Sequence, residues 1–239
     1  MIGRASGRWF SAVTAAALTA AALTLSACAP AGPTPDSLVH RSAKLMAKSS
    51  FQLSGSAKAG VTTISFSVQA LPTGDFSGSV DTAVPHSPTL VCDVIAIGPT
   101  VWIRSPMALA QLGITSLPGH LSPATAWVLQ STTIAAHYKA SLAPFTGAGL
   151  ASTLSRFLTG RPVLRTVSLS GRKVWLVQLG SGRSSLRLYL QRGSDQVLQL
   201  TITGKQAISL RYSRLGAVGS VAAPPSDLVY DPPRNAPGA

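Results

Sequence analysis

The chain contains no glutamate, and its seven acids are all aspartates, Asp36, Asp75, Asp81, Asp93, Asp195, Asp227 and Asp231, scattered without close pairing. Glycosidase-type catalysis needs two carboxylates converging on one bond, and nothing in this spacing suggests such a pair. His40, His86, His120 and His137 are equally isolated, with neither the His-x-x-x-His spacing of a helical zinc site nor a Cys-x-x-Cys. A Gly-x-Ser-x-Gly elbow and a phosphate-cradling Gly-x-x-x-x-Gly-Lys are also missing. The sequence therefore reads as a non-enzyme without cofactor or metal. Cysteine is nearly absent too: Cys28 and Cys92 are the only two, so no disulfide framework supports the fold. Aromatics make up 6% and charged residues 11%, while Ser, Thr, Gly and Ala abound, as in a secreted β-rich protein.

What is present begins at the N-terminus. Arg4 and Arg8 form a short positive region, Trp9 to Leu25 an apolar Ala-rich one, and small residues precede Cys28. Leu25-Ser26-Ala27-Cys28 resembles the bacterial lipobox, whose cysteine carries S-diacylglycerol and, after cleavage, an N-acyl chain. On this reading residues 1–27 are a signal peptide and Cys28 is the lipidation site. The protein then sits on the extracytoplasmic face of the cell membrane. Each buried methylene is worth about 0.8 kcal/mol, so two or three chains make a stable anchor where one would not. With Cys28 lipidated, Cys92 is a free, buried thiol behaving as a small hydrophobe; without lipidation a Cys28–Cys92 disulfide is the alternative. No second segment is long and apolar enough to span a membrane.

Removal of the signal leaves about 210 residues, enough for one domain with a real core and short for two. Residues 28–35 are Pro- and Gly-rich and read as a flexible spacer, 36–228 as a single domain, and 229–239 as a flexible tail. Asp36 or Ser37 looks like an N-cap, followed by Leu38, Ser42, Leu45 and Met46 at helical spacing. From Phe51 the period falls to two. Ile64, Phe66, Val68 and Ala70 alternate with Thr63, Ser65, Ser67 and Gln69, the mark of a sheet covered on one side only. Similar runs lie near 51–59, 75–82, 90–97 and 100–104, and again near 163–170, 173–179, 185–191, 196–203 and 206–214. Between the blocks, 105–145 is a Pro-interrupted loop region with a short helical piece around 131–139, and Leu150, Leu154, Phe157 and Leu158 mark an amphipathic helix. The expected fold is α+β: about ten antiparallel strands in a curved sheet, covered on one face by a few helices.

The lipobox, the first helix, the opening strand Ser50-Phe51-Gln52-Leu53-Ser54-Gly55 and the phrase Gly98-Pro99-Thr100-Val101-Trp102-Ile103-Arg104 together resemble the mycobacterial LppX/LprG lipoprotein family. Trp127, the Leu150 to Leu158 helix, the second strand block and the segment from Tyr212-Ser213-Arg214 to Ala223-Pro224-Pro225 follow in the same order. The resemblance covers essentially the whole mature chain. It implies a LolA-like half-barrel curled over helices, with an apolar cavity that holds acyl chains of envelope lipids. The 105–145 region is long for that family, and no matched motif carries over binding residues.

Basic charge is concentrated in the second block. Residues 156–214 hold eleven Lys and Arg against Asp195 alone, whereas 49–155 are balanced. If Arg165, Arg187 and Arg211 lie on the polar phases of three strands in that block, they share a face, and they are candidate contacts for an anionic head group. A merely solvated basic surface is the competing reading. Nucleic acid is not an expected partner, since no aromatic-interleaved basic motif occurs. The sequence thus points to a monomeric, membrane-anchored lipoprotein that carries lipid or glycolipid by partitioning its acyl chains into an apolar cavity. A non-catalytic protein with a filled core that docks an envelope partner or polymer is the alternative.

Overall fold

The computed structural model describes residues 32–111, 114, 116–142, 146–157, 161–181, 184–204 and 206–232. The signal segment 1–27, Cys28 and residues 29–31 of the spacer lie outside them. From Thr34 onward the chain forms one compact unit.

Helix α1 (Pro35–Lys48) starts at the end of the spacer. Its N-cap is Thr34, whose Oγ1 accepts the Ser37 N–H at 3.2 Å. Pro35 occupies the first turn, where its missing N–H costs nothing, so the helix begins slightly earlier than Asp36 suggests. Leu38, Val39, Ser42, Ala43 and Met46 are its buried stripe.

The first strand block is β1 (Phe51–Ala59), β2 (Thr62–Ala70), β3 (Phe76–Ala83), β4 (Leu90–Ile97) and β5 (Thr100–Arg104). The insert contains α2 (Pro106–Gln111), β6 (Trp127–Leu129), α3 (Thr132–Leu142) and α4 (Gly147–Phe157). The second block is β7 (Val163–Leu169), β8 (Arg172–Ser181), β9 (Ser184–Gln191), β10 (Val197–Thr203) and β11 (Gln206–Ser213), and β12 (Val229–Tyr230) closes the described chain. In the β7–β8 hairpin Ser170 and Gly171 both have positive φ, 49° and 79°, the backbone of a tight two-residue turn.

All twelve strands among the described residues join one curved, unclosed sheet in the order β12-β6-β5-β4-β3-β2-β1-β11-β10-β9-β8-β7. The expected α+β half-barrel with two five-strand blocks is what forms, with two additions. Strands β6 and β12 pair in parallel, Val229 against Trp127 and Tyr230 against Val128, so the sheet is mixed rather than wholly antiparallel. Val229 and Tyr230, assigned to the tail from sequence, belong to the sheet. Segments of two or three residues are too short to show a period, so alternation could not find them. Neighbouring strands approach closely at Gly55 and Gly78, where a Cβ would run into the backbone of β11 and β2 respectively.

Helices α1 and α4 lie together over one end of the inner face. Gly147 permits their contact, since a Cβ there would strike the Met46 carbonyl oxygen. Leu38, Val39 and Met46 of α1 and Leu154 of α4 pack with Phe51, Leu53, Ala70, Ala96, Leu188 and Leu190 of the sheet, all at 0% exposure. A side chain with no accessible surface borders no water-sized void, so the core beneath these helices is filled. Phe51 and Tyr212 meet edge to face, with ring centroids 5.7 Å apart. A second tie fixes α1 to the far block: Arg41 Nε donates to Asp195 Oδ2 at 2.5 Å, and Ser42 Oγ donates to the Asp195 carbonyl at 2.6 Å.

Candidate functional site

Strand register divides the inner face into cross-strand rows with very different burial. Toward the helix-covered end lie fully buried Leu53 and nearly buried Val68. Toward the opposite end, Leu179, Leu186, Ile202, Ile208, Ala57, Ile64, Thr82 and Leu90 stand opposite one another in a single row from β8 to β4. Leu90 is 40% exposed, and the other described side chains of this row are half-buried. No member is charged. Seven inter-strand steps of about 4.8 Å give the row a contour of about 34 Å. Apolar side chains in a strand's inner phase are ordinarily covered; here, among the described residues, they form a nearly continuous aliphatic track, broken only by Thr82, that flanks the buried core with Ala57, Ile64, Leu179, Leu186 and Ile208 packed along its margin.

Cys92 borders this track, next to Val80 across the β3–β4 ladder. It is a free, half-buried cysteine. Burial, and then the Asp93 carboxylate beside it, push its thiol from 9.0 up to about 11, so it is neutral at physiological pH. This agrees with the small-hydrophobe reading of Cys92.

Among the described residues, the enclosed apolar cavity implied by the family resemblance has no counterpart under α1 and α4, where the core side chains are fully buried. An apolar surface capable of taking a ligand is instead the open track. Chemically it offers contact with hydrocarbon and no hydrogen-bonding specificity.

The three candidate arginines are on the outer face. Arg165, Leu176, Tyr189, Gln199 and Arg211 are consecutive members of one cross-strand row, and Arg187 stands opposite Gln178 and Thr201 in the adjacent row. Successive arginines are therefore about 12 Å apart, two strands across and two residues along. Arg165 and Arg211 are exposed, while Arg187 is half-buried with its Nε unpartnered. Asp195, the one acid of the basic block, is held by Arg41 of α1 and does not neutralise the row. Cys28, the fourth sequence-derived site residue, lies outside the described residues.

Sequence reasoning missed a second outer-face feature. Asp93 and Arg104 are register partners on β4 and β5, and Arg104 Nε and Nη2 approach Asp93 Oδ2 at 2.9 and 2.8 Å. The Arg104 guanidinium also lies over the Trp127 ring, 4.9 Å from its centroid. These groups line an open groove of about 330 Å3 together with Gln52, Ser67, Gln69, Ser77 and Ser79. Asp93 and Arg104 are eleven residues apart, which reveals nothing until a hairpin register makes them neighbours.

No protein-family model matches the sequence, and no curated protein matches it. Among solved structures, MucB in complex with MucA(peri) is 13% identical, with 80% of this chain and 57% of that chain covered and a TM-score of 0.35. An uncharacterized conserved protein from Thermus thermophilus is also 13% identical, over 82% of this chain and 98% of that one, at a TM-score of 0.37. The Pseudomonas aeruginosa MucA/MucB complex is 15% identical, covering 81% and 59%, at 0.35. This chain therefore spans less than two thirds of those MucB chains. Similarity at this level carries no functional argument, and the half-barrel description rests on the strand topology itself.

Proposed function

We propose that the protein is a lipid-anchored, non-catalytic lipoprotein of the cell envelope that holds the acyl chains of a lipid or glycolipid against the open aliphatic track. The single observation that carries this reading is the uncharged row from Leu179 to Leu90, half-buried and ending in an exposed Leu90, where the inner face under α1 and α4 is fully buried. The hydrocarbon core of a bilayer is about 30 Å thick, so a chain in one leaflet spans about 15 Å, well within the length of the track. Burying ten methylenes there is worth about 8 kcal/mol before ordering costs, enough for binding without any enzymatic step. The resemblance to LppX/LprG lipoproteins and the lipobox at Cys28 support the same assignment. Both accord with a position on the extracytoplasmic face of the membrane, where acyl chains are available. Arg165, Arg187 and Arg211, on the other face, serve in approach to an anionic membrane rather than in direct head-group contact, because the sheet separates them from the track.

The filled core under α1 and α4 favours a second reading, in which the same track docks an apolar segment of an envelope protein. Two measurements separate them. Native mass spectrometry of the protein purified from its own envelope should show bound lipid, and cis-parinaric acid, a fluorescent 18-carbon fatty acid, should bind the purified protein. Ile64→Gln with Ile208→Gln should weaken the fatty acid by tenfold or more. Absence of both co-purified lipid and fatty-acid binding would leave the docking reading.

A further inference from the structure

The outer-face groove differs from the track in chemistry. Two rows form its floor: Gln52, Gln69, Ser77 and Ile95 in one, and Ser67, Ser79, Asp93 and Arg104 in the other. Among the described residues, the side chains of Gln52, Ser67, Gln69, Ser77 and Ser79 have no hydrogen-bond partner within the protein. Five neutral donor-acceptor groups from three adjacent strands are thus aimed at one space. At its end, Arg104 uses Nε and Nη2 on a single oxygen of Asp93 and lies over the Trp127 ring. The ion pair thus sets a carboxylate acceptor and a guanidinium donor side by side at the end of the groove.

The charge of Arg104 is matched by Asp93, so the groove is neutral as a whole and offers no field to a polyanion. Its floor has too little apolar surface for an acyl chain. A paired acceptor and donor, neutral amides and hydroxyls, and apolar patches from Trp127 and Ile95 match vicinal hydroxyls and the C–H faces of a sugar ring. A volume of about 330 Å3 falls at the small end of ligand sites, and from β1 to β6 the surface runs about 24 Å, room for an extended chain of several rings. We infer that this groove is a binding site for a neutral glycan, recognised by Asp93 and Arg104 at one end and by Gln52, Gln69 and the serines along its floor.

The test uses the full-length protein in detergent on an array of neutral and of sulfated or phosphorylated glycans, at 50 and 500 mM NaCl. Neutral glycans should be retained, with affinity unchanged by salt, because no net charge is neutralised. Gln69→Ala combined with Ser79→Ala should lower that retention at least tenfold while leaving the melting temperature and cis-parinaric acid binding as in the parent. Asp93→Asn, which keeps the shape and removes the charge-assisted acceptor, should weaken neutral glycans several-fold. Retention of anionic glycans alone, no retention of any neutral glycan, or equal binding by the double variant would each overturn the inference. Fatty-acid binding in the same samples reports separately on the inner-face track.

Discussion

Val68→Asp beside Ser67→Asp tests which face of the sheet is the core. Val68 is 5% exposed and stands between Leu53 and Gly78 in the ladder, whereas Ser67 points outward and is exposed. An aspartate at Val68 has no cation to meet, so it folds best protonated. Holding a carboxyl protonated at pH 7 against an unfolded-state value near 3.9 costs about 4 kcal/mol, at 1.36 kcal/mol per unit. Loss of valine burial and an unpaired neutral carboxyl add about 2 kcal/mol or more. The sum of about 6 kcal/mol approaches the entire stability of an ordinary domain. The sign in pH follows from a folded-state pKa raised above the unfolded one: the deficit is smallest below pH 4 and grows as pH rises toward the folded value. Urea unfolding of each variant relative to the parent at pH 4, 5.5 and 7 measures it. Val68→Asp should lose a further 2 kcal/mol or so between pH 4 and 5.5, Val68→Asn should show no such slope, and Ser67→Asp should stay within about 0.5 kcal/mol of the parent. Equal losses for Val68→Asp and Ser67→Asp, or a deficit flat with pH, would refute the face assignment.

Three further outcomes are expected. With its thiol raised from 9.0 to about 11, Cys92 should react with iodoacetamide at pH 8 about a hundredfold more slowly in the native protein than after denaturation, accelerating about tenfold per pH unit; equal native and denatured rates would contradict its burial. Cys28→Ser should move the protein from the detergent to the aqueous phase on phase separation without changing its melting temperature, and equal partitioning would remove the lipid anchor from the proposal. Changing Arg165, Arg187 and Arg211 together to Gln should slow lipid transfer from anionic vesicles far more than from neutral ones, with the difference fading as salt rises. Equal slowing with both vesicle types would reduce these arginines to a solubility feature.

Local sequence determined most of the elements, because alternation and turn residues act over a few positions. The run from Ile64 to Ala70 has one burial pattern compatible with water, and Ser170-Gly171 adopts the positive φ values a tight turn needs, so the inner phase of β2 and the β7–β8 turn were legible, whereas β8, with Val174 and Leu176 on one phase and Trp175, Val177 and Leu179 on the other, shows no phase by itself. The shared face of Arg165, Arg187 and Arg211 came from register and not from phase, since in β7 Arg165 alternates in step with Val163, Val167 and Leu169. Tertiary structure decided what joins distant segments. Pairing of β1 with β11 turns two five-strand blocks into one sheet, and that contact spans most of the chain without a local signal. It also aligns Ala57 with Ile208, making one aliphatic track out of two separate runs. How far α1 and α4 reach across the inner face is likewise a matter of packing, set in part by their approach at Gly147 and by the Arg41 tie to Asp195. That reach leaves the core solid at one end and the track only half-buried at the other, since a strand's alternation states which side chains face inward and not what, if anything, lies over them.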